Sequence, residues 1–294
     1  MADPAPVEDW TTDYDINDPD YIEDPVPMWR ELRERCPIAH TERHGGSWLP
    51  TRFDDIREMA KMVPELSSRQ PLVMPQPPEL AHMTKYEQQI AAPPITADPP
   101  ISTWTRRMIL PAFAPKAVEK YREYTEQLCH QLIDGFIEVG RCDGAVDYAQ
   151  QIPPRVIAHM IGVDPAMSDE FTEWVRGVLE LGLSQPELRM KYRDIIIEFL
   201  TNEVNDRVDN PRDDLLSELL AVEVDPADGE NSPQVVVGIA NLLLVAGIDT
   251  TWSSIGSALW HLGTHPDDRE WLVREPDLLP TAVEELLRAY SPVT

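Results

Sequence analysis

Cysteine is scarce in this 294-residue chain. Cys36, Cys129 and Cys142 are odd in number and show no Cys-x-x-Cys spacing, which excludes a disulfide framework or a cysteine-built zinc site and fits a reducing cytoplasm. Bases are scarce too: 25 Lys and Arg against 52 Asp and Glu leave a formal net charge of -27. Such a surface repels nucleic acid and anionic membrane and favours solubility. The first residues, MADPAPVEDWTTDYD, contain no apolar run, so neither a signal peptide nor a membrane anchor is expected. Strand signals are confined to one hairpin, and no internal repeat occurs.

What is present reads as helix. Residues 1–24 form an acidic, Pro-containing lead-in, expected to be irregular. Val26–Arg35 places Met28, Trp29 and Leu32 at helical spacing and stops at Cys36-Pro37. HTERHGGSWLPTR predicts a hairpin with Gly45-Gly46 at the turn and Trp48, Leu49 and Thr51 on the return strand. Phe53–Met62 is a further helix. From Pro64 to Pro100 the chain is rich in proline mixed with Met74, Leu80, Met83, Tyr86 and Ile90; it reads equally as a wall over an apolar pocket and as a surface excursion.

Helices are then predicted from Ser102, a plausible N-cap, to Leu110, from Pro115 to about Val139, from Pro154 to Ile161, over Ser168–Leu183 and Gln185–Arg207, and over Asp213–Val222. Ser232-Pro233 launches the longest apolar stretch, Val235–Leu262. Pro266–Arg274 and Leu279–Ala289 close the series, so the fold class is mainly α.

Val235–Leu262 (VVVGIANLLLVAGIDTTWSSIGSALWHL) sets the central question. Its uncharged run ends at Asp249, which is short for a membrane span, and no basic cluster flanks it; a buried helix of a soluble protein is the better reading. An acid buried in such a helix is costly unless it is paired, protonated or used. Ala246, Thr250 and Ser253 share one face. A threonine hydroxyl beside glycine can bond back to the i−4 carbonyl and open the helix locally. The resulting groove would hold a hydroxyl beside an acid, suited to pass protons to something bound there. Close packing through small residues explains the same six positions equally well.

Two other groupings carry chemistry. In Glu284-Glu285-Leu286-Leu287-Arg288, Glu285 and Arg288 can pair at i, i+3, a common arrangement, here with apolar flanks that would bury one side of the helix. Asp98-Pro99-Pro100 precedes Arg106-Arg107, and Ile101 to Arg122 holds five bases and one acid. That island reads either as a solvated face or as a site for anionic cofactor groups and an acidic partner.

The three groupings in this order, AGIDTT, then EELLR beginning near Glu284, with DPP…TRR…AFAP upstream, resemble the cytochrome P-450 family of soluble bacterial haem-thiolate monooxygenases. PVPMWRELRERCP, TRFDDIREMA, PPRVIAHMIGVD and HLGTHPDDREWLVREPDLLPTAVEELLR extend the resemblance from about Asp24 to Thr294. It implies a cytochrome P-450 fold: a helical bundle around haem b with a minor β region, residues 25–294 being the N-terminal and central part of one domain. Ala246 and Gly247 would lie against the oxygen site, and Asp249 and Thr250 would be the catalytic acid–alcohol pair. Arg106 would bind a haem propionate, and Glu285–Arg288 would be a structural pair near the haem. Residues 64–97 and 179–188 would border the pocket of a small apolar substrate. The other partners implied are dioxygen and a ferredoxin-type donor with its reductase, facing the basic island; nucleic acid and a membrane span are not.

Two features depart from the family. Ser102 stands where many members have a histidine on a propionate, which weakens that contact. The Phe-x-x-Gly-x-x-x-Cys-x-Gly motif, whose cysteine thiolate holds the iron and drives O–O cleavage, is not among the 294 residues and belongs beyond Thr294. Cys142-Asp143-Gly144 has the ending of that motif alone, and Cys36 and Cys129 have none of it. The expectation is therefore a C-terminally truncated monooxygenase, inactive as it stands; the other reading is a non-catalytic fragment or interaction module without a working haem site.

Overall fold

The computed structural model describes residues 6–63, 65–69, 92–182 and 185–292. The backbone clusters into two compact units, Met1–Gln89 with Ile95–Asp98, and Ile90–Pro94 with Pro99–Thr294. Most of the Pro64–Pro100 loop, residues 70–91, lies outside the described residues.

In the first unit, helices α1 (Pro19–Glu23) and α2 (Val26–Arg35) precede strands β1 (Ile38–Thr41) and β2 (Ser47–Pro50), followed by α3 (Phe53–Met59). The strands pair antiparallel, Ile38 opposite Pro50 and Thr41 opposite Ser47. Gly45 and Gly46 make the turn at φ 92 and 85, backbone that suits glycine. Thr51 falls just past β2, its amide donating to Pro37 O at 2.8 Å. The lead-in is more ordered than its composition implies. Asp18 caps α1, and Tyr14 is buried with Leu32 and Ala39. Arg43 donates to Asp13 at 2.6 Å and to Asp15 at 3.2 Å. Long-range ion pairing of that kind leaves no local sequence signal.

The second unit holds α4 (Ile101–Ile109), α5 (Pro115–Val118), α6 (Arg122–Ile137), α7 (Ile152–Met160), α8 (Ser168–Arg176), α9 (Pro186–Asp209), α10 (Leu215–Leu220), α11 (Pro233–Thr264), α12 (Pro266–Arg274) and α13 (Leu279–Ala289). Ser102 is not a cap. Pro100, already at φ -82 and ψ -14, occupies the N-cap position, and Ser102 falls inside the first turn. The helix expected from Pro115 to Val139 breaks into a 3₁₀ turn at Glu119–Tyr121, where the Tyr121 ring is buried and meets His159 edge-on; tertiary packing overrides the periodic pattern there. The segment expected as helix to Leu183 changes to a π-helical turn over Gly177–Leu181.

The apolar shaft of α11 is enclosed by α7, α8, α9 and α10. Val236, Ile239, Ala240, Leu244 and Ile248 have no exposed surface, and burial of each large side chain contributes about 1.5–3 kcal/mol. Ser232 caps the helix by accepting from the Val235 amide at 3.4 Å, with Pro233 at its first position. By length and composition α11 could cross a membrane, and half of its most apolar window is buried inside the protein. On α9 the buried residues Ile196, Leu200, Val204 and Arg207 follow one face.

Arg207 ends that face as a buried cation. Its Nε donates to Asp214 Oδ2 at 2.9 Å, Nη2 to Gly162 O at 2.6 Å, and Nη1 to Glu203. Gly162 closes α7 at φ 72 with its amide on His159 O and that of Val163 on Ala158 O, a Schellman closure; a side chain there would collide with Asp214. Asp214 also caps α10 through the Ser217 amide at 2.8 Å. The cluster thus joins the ends of α7, α9 and α10 beneath α11. Removing Arg207 leaves buried carboxylate and carbonyl groups unpaired, so Arg207→Ala should cost about 3–5 kcal/mol, read as a lowered urea midpoint. A midpoint within experimental error of the parent would refute this role.

Candidate functional site

Beyond Leu244 the burial of α11 becomes one-sided. Ile248 and Trp252 continue the core face, while Ala246 and Thr251 are exposed and Thr250 is half-buried. Thr250 Oγ1 donates to Ala246 O at 2.8 Å, and Ser254 Oγ donates to Thr250 O at 2.8 Å. These back-bonds satisfy the hydroxyls inside the helix, and leave the lone pairs of the Thr250 oxygen available as acceptors. Of the residues expected at the site, Ala246 and Thr250 come together on the open strip. Gly247 turns the other way: a Cβ there would lie 3.0 Å from Ile157 Cδ1 of α7, so its smallness serves the approach of α7 to α11.

Asp249 is half-buried, and its carboxyl is held above the usual aspartate range. Burial is the main cause; the Glu180 carboxylate adds to it, and a hydrogen bond from Trp252 works against it. Glu180 sits on the π-helical turn after α8 and is bound by Arg176 Nε at 2.8 Å. Trp252 lies at i+3 from Asp249 on the same helix, a spacing the sequence displays; Glu180 reaches Asp249 only through the packing of the α8 region on α11.

Three of the five bases of the island are paired with carboxylates of this chain. Arg107 meets Asp228 at 3.2 Å, Lys120 meets Glu218 at 2.8 Å and Arg122 meets Glu119 at 2.6 Å. Arg106 and Lys116 are exposed and have no ion pair among the described residues. Arg106 is thus a fork without a carboxylate, suited to an anionic group of a bound molecule. Ser102 is half-buried one turn before it.

Glu285 and Arg288 form the expected pair, bidentate at 2.7 Å through Nε and Nη2. Arg288 holds the Glu285 carboxyl below its usual range. The apolar flanks do not bury the helix: α13 has no buried residue, and among the described residues nothing covers Val283 and Leu287. The pair stands in solvent, where it contributes little.

A haem would fit these residues on one side: the open strip at Ala246 and Thr250 would leave room for a flat group, and Arg106, without an ion pair of its own among the described residues, would suit a carboxylate. The described cysteines do not complete it. Cys36 Sγ donates to Ile38 O at 3.4 Å in the other unit, Cys129 lies beside the Tyr148 hydroxyl, and Cys142 is exposed ahead of the turn that Asp143 caps. Among the described residues no cluster of three or more His, Cys, Asp or Glu side chains can hold a metal.

A long apolar helix enclosed in an α-helical bundle defines the class, and comparison with known proteins defines the family. No family model matches the chain. It is 31% identical over 287 residues to 6-deoxyerythronolide B hydroxylase of Saccharopolyspora erythraea, covering 96% of this chain and 71% of that protein. Vitamin D(3) 25-hydroxylase of Pseudonocardia autotrophica is 30% identical over 291 residues, 97% of this chain and 69% of the relative. The structure of the Bacillus subtilis cytochrome P450 PksS superposes with a TM-score of 0.80 at 25% identity, over 95% of this chain and 70% of that one.

The chain belongs to the cytochrome P450 family and has its mainly helical fold with a small sheet. Members are haem-dependent, iron-binding monooxygenases, and the chain spans about seven-tenths of the length of these relatives.

The raised Asp249 carboxyl carries a linkage consequence. Its folded form binds the proton more tightly than the unfolded chain does, so it costs stability as pH rises from the ordinary aspartate range through its raised folded value. Asp249→Asn should therefore be more stable than the parent near neutrality, and the gain should vanish below the usual aspartate range. Urea midpoints across acid to neutral pH test this. A gain independent of pH would mean that the carboxyl is not perturbed.

Proposed function

We propose that the chain is the distal, proton-delivering portion of a haem monooxygenase that inserts one atom of dioxygen into a small apolar organic substrate. 6-Deoxyerythronolide B and vitamin D(3), the compounds in the relatives' names, are the substrate type this reading points to. The observation that carries it is the half-buried Asp249, with its raised proton affinity, next to Thr250 where the burial of α11 becomes one-sided.

When bound, the haem supplies dioxygen activation and one-electron chemistry. The chain's own residues then have separate tasks. Arg106 binds a cofactor carboxylate, with Ser102 contributing at most a weak neighbouring contact. Ala246 leaves room for a flat group, and Gly247 lets Ile157 of α7 close the inner side against water. Thr250 Oγ1, anchored on Ala246 O, presents an acceptor at the strip and relays a proton onward. Asp249 is the acid nearest in sequence to that hydroxyl, and burial and Glu180 raise its affinity for a proton above that of an ordinary aspartate. Electrons come from a ferredoxin-type donor and its reductase, for which the exposed Arg106 and Lys116 region offers a basic patch. A cytoplasmic location follows from the same cofactor chemistry and the three unpaired thiols.

The positions of Cys36, Cys129 and Cys142 favour a second reading for these 294 residues taken alone: a fragment without a thiolate-held iron. The reduced, carbon-monoxide-bound spectrum of the chain separates the two. No thiolate-type Soret band is expected, and its appearance would overturn the assignment of the ligand to a segment beyond Thr294. In an enzyme that includes the thiolate motif, Thr250→Ala should lower product formed per electron consumed by about tenfold or more. Oxygen uptake measured against product yield reads this directly, and unchanged coupling would remove Thr250 from the proton path.

A further inference from the structure

Near its C-terminus α11 carries His261, whose two ring nitrogens are both engaged. Nε2 lies 3.0 Å from Asp268 Oδ2 on α12, and Nδ1 lies 2.8 Å from the hydroxyl of Tyr290 at the end of α13. An ionised carboxylate only accepts, so Nε2 carries the proton and donates it to Asp268. Nδ1 of the neutral ring then offers a lone pair, and the Tyr290 O–H donates to it. The His265 ring stacks on His261 at 4.2 Å and 11° and spends its Nδ1 on Thr264 Oγ1 and His261 O, each at 3.0 Å. Trp260 meets the Tyr290 ring edge-on at 5.9 Å.

The other charged groups nearby are committed. Arg269 donates to Leu262 O at 3.0 Å, and Glu285, which lines the same apolar cavity of about 420 Å³, is bound to Arg288. Among the described residues Asp268 has no ion-pair partner except His261.

A phenol resists oxidation while it keeps its proton, because loss of an electron alone leaves a strongly acidic radical cation. A base already hydrogen-bonded to the hydroxyl removes that obstacle. We propose that Tyr290 is a redox-active tyrosine served by a His261–Asp268 proton relay. One electron leaves the phenol ring for a one-electron oxidant, and the hydroxyl proton moves to His261 Nδ1. The products are a neutral tyrosyl radical and an imidazolium paired with the Asp268 carboxylate; no carbon bond forms or breaks. Return of one electron from a reductant sends the proton back to Tyr290. The role is to drain surplus oxidising equivalents, with Trp260, 58% exposed, as the next carrier toward solvent. Only the physiological oxidant, the haem chemistry proposed above, rests on that reading; the relay stands without it.

The test therefore uses an external oxidant, photogenerated tris(bipyridine)ruthenium(III), on the intact 294-residue chain, with freeze-quenched electron paramagnetic resonance as readout. A tyrosyl signal is expected. Because the chain has eight tyrosines, Tyr290→Phe should remove the larger part of it. His261→Gln keeps an acceptor for the hydroxyl but no base, and should cut the yield by about tenfold or more. Asp268→Asn tests the same relay from a half-buried position should the histidine variant misfold, and a smaller loss is expected there. Formation should also slow in D₂O in the parent and not in His261→Gln. A signal indifferent to Tyr290→Phe, or folded His261→Gln and Asp268→Asn proteins with the parent yield, would overturn the proposal. Failure of a thiolate-completed enzyme to take up haem would leave this result untouched and count only against the monooxygenase reading.

Discussion

The enclosure of α11 is the constraint on which the second unit depends. A helix that is apolar on every side over its first turns must be surrounded, and α7, α8, α9 and α10 surround it. Their ends are in turn fixed by one buried cation, since Arg207 reaches Gly162 on the closing turn of α7 and Asp214 at the cap of α10. A charge so placed is tolerable only with nearly all its donors bonded. The core and this polar knot therefore specify each other: the apolar shaft needs the layer around it, and the knot sets where the members of that layer end.

This enclosure also explains why the site lies where it does. Once α11 passes Leu244, the surrounding helices cover only the Ile248 and Trp252 side, and the Ala246–Thr250 side is left open. Asp249 sits between the two environments. It is buried enough for its proton affinity to be raised, and it adjoins the open strip in sequence. A carboxylate fully in the core would be locked neutral, and one fully in water would be ionised; the border position gives it a usable proton affinity.

Much of this could be read from residue order. The ends of α2, α12 and α13 agree with Val26–Arg35, Pro266–Arg274 and Leu279–Ala289, because proline and the apolar period mark them locally. The neighbourhood of Asp249 and Thr250 was legible in the same way, through their place on one helix. Features that depend on distant packing were not. Tyr121 breaks a helix because its ring is wanted in the core; Glu180 meets Asp249 across two elements; Gly247 turns toward Ile157 and not toward the strip. Ser102 misled because a good capping residue was preceded by a proline that already held the position. The burial anticipated for the Glu285–Arg288 helix failed for a simpler reason: an amphipathic pattern states that a face wants a partner, not that the described chain supplies one.

α11 thus presents two carboxylate devices built on opposite principles. At Asp249 burial and a like charge raise the affinity for a proton, and in the proposed function the acid itself gives that proton up. At Asp268 the carboxylate remains an acceptor and acts through His261, fixing its tautomer so that the far nitrogen faces Tyr290. The first raises the hold of the acid on a proton; the second, in the relay proposed above, draws one from a phenol. Both need the helix to be rigid between them, since a proton moves only across a maintained hydrogen bond. The enclosed shaft of α11 provides that rigidity for the strip at Thr250, whereas His261 lies past the last buried residue, Trp252. There the imidazole bridge itself, bonded to α12 and to the end of α13, holds the geometry in place of the missing core.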